Sequence, residues 1–558
     1  MKKKNLKKSS FMQGAFIATF GIVLCKIIGM LYVIPFYSII GDQGGALYGY
    51  AYNIYSIFLG ISTAGIPLAM SKLISEYHTM GYIKTKERAF VLGQKVLNVM
   101  GLFSFIMLML FAKPLATLII GDTIGGNSIQ DVEFVIRVIS VAVLVVPIMS
   151  VYRGYFQGHK IISPTSISQV LEQLIRVFII IIGSFLGMKV FKLSLRSTVG
   201  IAVFSATIGA VCSYLYLKFV VKKNKKVFLK QEEKVDEPRI RNIEIVLKLL
   251  GYAFPFIMID IFKSLYNSID VFMLINTLVN GIGFTKEAAE SVMSVISTWG
   301  LKINQIIIAI STGIMISLIP NLTSSIVKKD LVDVRKKINQ SIQVLLYLTI
   351  PMAVGLAILS PNVWTVFYGI SEYGPKVYAL YVFVSVATVL FTSSITTVQI
   401  LKDYKIVFIA LISGFFTKLI LNVPLLYGFY KMGLPAYYGS IIATILGYLV
   451  CAFICLIFLN KKYKVDYEET IKCFIEITTS VTIMAIVLLI LKVIFPYSTP
   501  SKLLNVLIII IYTLIGGIIY LGITIKNGTL YKVFGNDIIN KVINKIKKRG
   551  RKKWNLQH

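Results

Sequence analysis

The chain has 558 residues, 56% of them hydrophobic, and a formal charge of +33. No soluble domain carries that apolar load along its whole length, and the lysines fall in short clusters between apolar runs, which suits membrane-flanking loops better than a nucleic-acid surface. Cys25, Cys212, Cys451, Cys455 and Cys473 make no CxxC, and His78, His159 and His558 are scattered, so neither a disulfide framework nor a metal site is expected.

The first apolar run, 11–40, is long enough to cross a bilayer of roughly 30 Å. The basic MKKKNLKKSS before it resembles the start of a signal peptide. The run is too long for one and no small-residue cleavage site follows, so a retained first helix is expected. Lys26 lies near its middle, where a cation costs at least about 2.5–3.5 kcal/mol. Either it snorkels or sits in a structural ion pair, or it faces a polar cavity and meets an anion.

Thirteen further spans are expected near 47–76, 89–112, 130–152, 164–187, 197–220, 245–276, 291–320, 338–360, 376–400, 405–428, 434–459, 470–495 and 503–525. The fold class is therefore an all-α polytopic membrane protein of fourteen helices. About forty of the 58 basic residues fall in loops on one face and about nine on the other, which places both termini in the cytoplasm of a multi-pass plasma-membrane protein.

The stretch 221–243 is the longest polar interruption and divides the chain. ISTAGI at 61–66 is echoed by ISTGI at 310–314. Gln157, Lys160 and Arg176 are echoed by Gln399, Lys402 and Lys418. These offsets point to a duplicated six-helix unit, a common transporter design. The expected organisation is an N-lobe at 1–220, a basic linker at 221–243, a C-lobe at 244–460, two further spans at 461–530 and a basic tail at 531–558.

Several spans carry charge. Glu172 and Arg176 stand one turn apart and can pair, as can Asp260 and Lys263. Asp270 has no local partner, so it could meet Lys26 or a coupling cation. Arg137, Lys302 and Lys418 are also within spans, and Lys302 has no acid near it in sequence. Lys26 and Lys302 together suggest net positive charge at the midplane and hence an anionic ligand. Pro67, Pro147, Pro255, Pro320, Pro351 and Pro424 bend or end spans. Tyr48, Tyr50, Tyr52 and Tyr55 read first as an interfacial aromatic belt and second as a sugar-stacking platform. No GxxxxGK[ST] and no placeable catalytic set is present, so an enzyme is not expected, no cofactor is called for, and gradients or a partner must drive any transport.

AGIPLAMSKLISEY at 64–77, RGYFQGHKIISPTSISQVLEQLIRV at 153–177 and SLYNSIDVFML at 264–274 resemble the polysaccharide-flippase branch of the MOP exporter superfamily. Within it, fourteen spans resemble the MurJ-type lipid II flippases and their Gram-positive YtgP and SpoVB-like relatives. The resemblance covers nearly the whole chain. It implies two six-helix lobes around a cationic cavity, and two last helices bordering a lipid groove. Lys26 matches the basic residue of the family's first helix, and Lys302 falls within about one residue of the basic position in the eighth. Tyr32 and Phe58 stand where Gram-negative members carry arginine. With the charges read within the spans, the expected substrate-binding set is Lys26, Lys302, Lys263, Arg176, Glu172 and Asp260, with Asp270 for a coupling cation. The implied partners are a lipid-linked oligosaccharide, the bilayer and the wall-synthesis machinery, for a monomer.

The leading function is outward flipping of lipid-linked peptidoglycan precursor. The alternatives are another lipid-linked polysaccharide, a spore-wall precursor or a MATE-type cation-coupled exporter, whose cavity would be rich in acids. A membrane glycosyltransferase would need large outer loops with catalytic acids, and a non-transporting scaffold would tolerate neutral cavity residues.

Overall fold

The structure is a computed structural model that describes residues 21, 24–63, 65–121, 125–224, 228, 237–309, 322, 325–326, 328–494 and 500–535. The ISTGI motif, Pro320, most of the linker and the 547–553 basic run lie outside the described residues. Every regular element among the described residues is helical. In chain order they are α1 Leu24–Leu31, α2 Val33–Thr63, α3 Ile66–Thr79, α4 Ile83–Ile120, α5 Ile129–Gly158, α6 Ser163–Val190, α7 Leu195–Lys223, α8 Asn242–Ile282 and α9 Lys286–Ala309. Then follow α10 Leu331–Ile358, α11 Ser360–Tyr368, α12 Gly374–Ile400, α13 Tyr404–Lys431, α14 Tyr438–Tyr463, α15 Glu468–Ile494, α16 Lys502–Lys526 and α17 Thr529–Phe534.

Among the described residues twelve helices are long and apolar enough to cross a membrane, or thirteen with the bent pair α1 and α2, whose axes diverge by 49°. Gly41 interrupts α2 with φ 63° and ψ −161°, a conformation only glycine adopts cheaply. The expected boundary between the first two spans falls at this residue. The second span then runs past a further break at Gly65 and Pro67 into α3. The twelve or thirteen candidate spans among the described residues come close to the fourteen expected.

Helix ends follow local chemistry. Ser128 and Asp131 form a reciprocal capping box at the start of α5. Thr285 and Ser194 accept from the first turns of α9 and α7. The repeated Gln-x-x-Lys segments end their helices alike. Lys160 and Lys402 both turn left-handed, with φ 59° and 63°. Their amides donate to Gln157 and Gln399 at 2.9 and 3.0 Å, and the following amides reach back to Phe156 and Val398.

The helices gather into two compact units. The first comprises Met1–Gln305 with Leu411–Thr444, and the second Ile306–Ala410 with Ile445–His558. One core of the first unit joins Met70 and Leu73 of α3, Leu97 of α4, Tyr155 and Phe156 of α5, and Leu249 of α8. Phe228, from the polar stretch that divides the chain, inserts into this core with 1% exposure. Its ring lies 5.2 Å from Tyr155 and 5.0 Å from His159, and burial of that size contributes about 1.5–3 kcal/mol. The buried Lys86 ammonium donates to the Phe228 carbonyl at 2.6 Å. Glu237 accepts from the Lys84 and Thr85 amides at 2.8 and 2.9 Å, which satisfies the open first turn of α4 from outside the helix. Arg88 adds a bond to the Ile240 carbonyl at 2.6 Å.

The tyrosine-rich stretch of α2 corrects the interfacial-belt expectation. Tyr48, Tyr50 and Tyr55 are 4%, 0% and 6% exposed, so these rings are packed inside protein. In the second unit, α10 packs against α15 and α16. Tyr347 and Thr524 share a hydroxyl bond of 2.8 Å, and Asn362 donates to Asn505 at 2.7 Å.

Candidate functional site

A polar cavity of about 390 Å³ opens within the first unit. Three helices supply it. Lys26 and Gly29 come from α1. Gln169, Glu172, Gln173 and Arg176 come from α6, and Lys302 and Gln305 from α9. The α6 residues recur at i, i+3, i+4 and i+7, one stripe of a helix. Gly29 brings α1 close, because a β-carbon there would stand 3.2 Å from Gln173 Nε2. A π-helical turn at Val295–Trp299 precedes Lys302 and sets the facing of everything after it.

Arg176 and Lys302 are held by aromatic faces. The Arg176 guanidinium carbon lies 5.3 Å from the Tyr52 ring centre, and Lys302 Nζ lies 5.4 Å from that of Tyr32. Among the described residues neither cation forms an ion pair, and Arg176 Nε finds no acceptor. This corrects the expected Glu172–Arg176 pair. Glu172 is engaged instead by Arg153 of α5, whose Nη2 stands 2.7 Å from Oε2. Arg153 also donates to Ser168 and Ser213, tying α5, α6 and α7 together behind the cavity. A bound anion would meet unspent donors on Arg176 in a partly dry site, where charge-assisted bonds are strong.

The other expected residues lie elsewhere. Asp260 and Lys263 share α8, attract each other and do not line this cavity. Asp270 also lies on α8, and the expectation that it meets Lys26 or a coupling cation is corrected, since its partner is another lysine. Its Oδ2 accepts from Lys418 of α13 at 2.8 Å, and its Oδ1 accepts from Asn422 at 3.1 Å and Ser440 at 2.6 Å. Lys418 donates in addition to the Tyr266 carbonyl at 3.0 Å. Pair formation across 148 residues removes the charge that helix-local reading left open. Arg137 pairs with Glu133 at 2.6 Å on a half-exposed face. Sequence reading did not single out Arg153, Gln169, Gln173 or Gln305. The 169–176 spacing of polar residues along an otherwise apolar helix was the available signal.

The second unit holds an apolar groove of about 330 Å³. Tyr347 and Pro351 of α10, Met484 and Leu488 of α15, and Tyr512 and Gly516 of α16 line it. Helices α15 and α16 are the last two spans.

Comparison with known proteins agrees with this architecture. The family model described as "Polysaccharide biosynthesis protein" matches residues 11–294. The lipid II flippase MurJ of Bacillus subtilis is 31% identical over 536 residues, covering 94% of this chain and 97% of that one. A solved structure of a lipid II flippase MurJ, in an inward closed conformation, superposes with TM-score 0.62 at 14% identity, covering 94% of this chain and 100% of that one. An inward-facing MATE-family transporter of the MOP superfamily gives 0.60 at 13% identity, covering 81% and 98%. The chain is a multi-pass membrane protein that belongs to the polysaccharide biosynthesis family, in which MurJ of Bacillus subtilis is a relative along nearly its whole length.

Proposed function

We propose that this chain is a flippase that carries undecaprenyl-diphosphate-linked peptidoglycan precursor, lipid II, from the inner to the outer leaflet by alternating access. The carrying observation is the cavity in which Lys26, Arg176 and Lys302 converge while neither Arg176 nor Lys302 forms an ion pair with a described acid. The likeness to MurJ across 94% of the chain supports the same reading. The cavity volume falls within the roughly 300–1,000 Å³ usual for ligand sites. Cations bind the diphosphate, and the carboxamides of Gln169, Gln173 and Gln305 hydrogen-bond sugar. The isoprenoid, being hydrocarbon, stays in the lipid phase. A cationic site does not suit a cation exporter.

In this reading the chain is a transporter and not an enzyme, works as a monomer alongside the wall-synthesis machinery, and has both termini in the cytoplasm. Its six-helix halves are 1–220 and 244–460, joined by 221–243 and followed by the spans in 461–530. Asp260 and Lys263 act as an accessory charged pair. A coupling role for Asp270 requires a cation that displaces the Lys418 ammonium. The test is depletion in a host that relies on this chain, followed by chemical identification and leaflet assignment of the undecaprenyl-linked lipid that accumulates. Lipid II accumulating in the inner leaflet is expected. A different linked glycan would overturn the substrate, and no accumulation would overturn the transport reading.

A further inference from the structure

We infer that Tyr32, Tyr48 and Tyr52 form a positioning ladder that holds Lys302 and Arg176 apart at fixed places without neutralising them, so that the two cations address the two phosphates of one diphosphate. The inference rests on the flippase reading of the cavity and deepens it. The contacts run in one chain. Lys302 Nζ sits 5.4 Å from the Tyr32 ring centre. The Tyr32 and Tyr48 hydroxyls stand 3.5 Å apart. The Tyr48 and Tyr52 rings are 4.4 Å apart, tilted by 31°. Arg176 lies 5.3 Å from the Tyr52 ring centre, and Tyr55 backs Tyr52 edge-on at 5.9 Å.

The chemistry explains why rings stand here rather than acids. A carboxylate beside each cation would fix its position equally well. It would also cancel its charge and consume the N–H donors an incoming phosphate needs. An aromatic face attracts the cation through its quadrupole without cancelling its charge, and the neutral Tyr32 hydroxyl, which accepts from Lys302, takes one donor of its three. The orphaned Nε of Arg176 is the direct mark of donors kept in reserve. Tyr32 and Tyr48 are 2% and 4% exposed, so packing locks their rings and gives the ladder its rigidity.

The test uses the purified full-length chain in detergent and isothermal titration with geranylgeranyl diphosphate, with geranylgeranyl monophosphate alongside. Tyr32→Leu and Tyr52→Leu should each weaken diphosphate binding about three- to tenfold and reduce the preference over monophosphate. Tyr52→Phe keeps the ring face and should recover most of the loss, whereas Tyr32→Phe keeps the face but loses the hydroxyl bond to Lys302 and should recover part of it. In a Lys302→Ala background, Tyr32→Leu should add no further loss, since the ring then has no cation to hold. If a Leu variant does not fold, Tyr32→Met or Tyr52→Met removes the ring at similar bulk and is read the same way. Ring-less variants that bind like the parent while Lys302→Ala weakens binding would overturn the ladder alone. So would a Tyr32→Leu loss that persists undiminished without Lys302. A parent chain that binds neither ligand would overturn the reading of the cavity itself.

Discussion

The Lys418–Asp270 pair offers the sharpest energetic prediction. Both side chains are nearly sealed from solvent, at 1% and 6% exposure. Lys418→Met keeps most of the aliphatic volume and deletes the ammonium. It leaves the Asp270 carboxylate with Asn422 and Ser440 on Oδ1 and nothing charged at Oδ2. Removing one member of a buried pair costs about 3–5 kcal/mol, because the remaining charge is stranded. Neutralising both, with Asp270→Asn and Lys418→Met together, keeps the volume and removes the stranded charge. The double variant should therefore recover roughly 2–3 kcal/mol of the single-variant loss. Equilibrium unfolding in mixed detergent micelles, followed through the buried Trp299, measures both values. A single-variant cost below about 1 kcal/mol, or a double variant no more stable than the single, would refute the reasoning.

Three other outcomes follow from the structure. In a complementation assay Lys26→Arg should support growth and Lys26→Ala should not, since the cavity needs the charge more than the shape; equal growth of the two would remove Lys26 from the site. Lys223→Cys, exposed at the end of α7, should resist an impermeant thiol reagent in intact cells and react in inverted vesicles, and the reverse pattern would invert the proposed topology. Burial pushes the Glu237 carboxyl up, but the Lys84 and Thr85 amides and the Thr85 hydroxyl outweigh it and hold it below the usual glutamate range. A depressed carboxyl stabilises above its unfolded value and lets go as pH falls through its folded one, so the protection of the Lys84 and Thr85 amides, taken relative to their intrinsic exchange rate at each pH, should fall on acidification, and Glu237→Gln should remove that fall.

Much of the site is readable along the chain where the signal is a charge in the wrong solvent. Lys26, Arg176 and Lys302 each interrupt an apolar run, and all three line one cavity. The 3.6-residue period explains why Glu172 and Arg176 share its wall. What the sequence leaves open is the choice of partner. Glu172 and Arg176 are one turn apart, yet Arg153 of the preceding helix wins the carboxylate because Ser168 and Ser213 fix its guanidinium against that face. Asp270 is isolated within α8, yet α13 and α14 bring it three partners. The tyrosines of α2 mislead for the same reason. A belt and a buried ladder have the same composition, and only the packing of neighbouring helices decides between them. Gly41 and Gly65 hide their breaks inside apolar stretches, so the first two spans are harder to delimit than the later ones.

The seat of Phe228 bears on biogenesis. Its hydrogen-bond and ring partners Lys86, Tyr155, Phe156 and His159 precede it in the chain. The docking residues Glu237 and Ile240 likewise grip segments already made, at Lys84, Thr85 and Arg88. Most of this buried cluster is therefore synthesised before the seventh span, whose Ile245, Leu249 and Ala253 complete it. Phe228, Glu237 and Ile240 thereby tie the start of α8 to helices made before it, so the order of synthesis and the order of contacts run the same way.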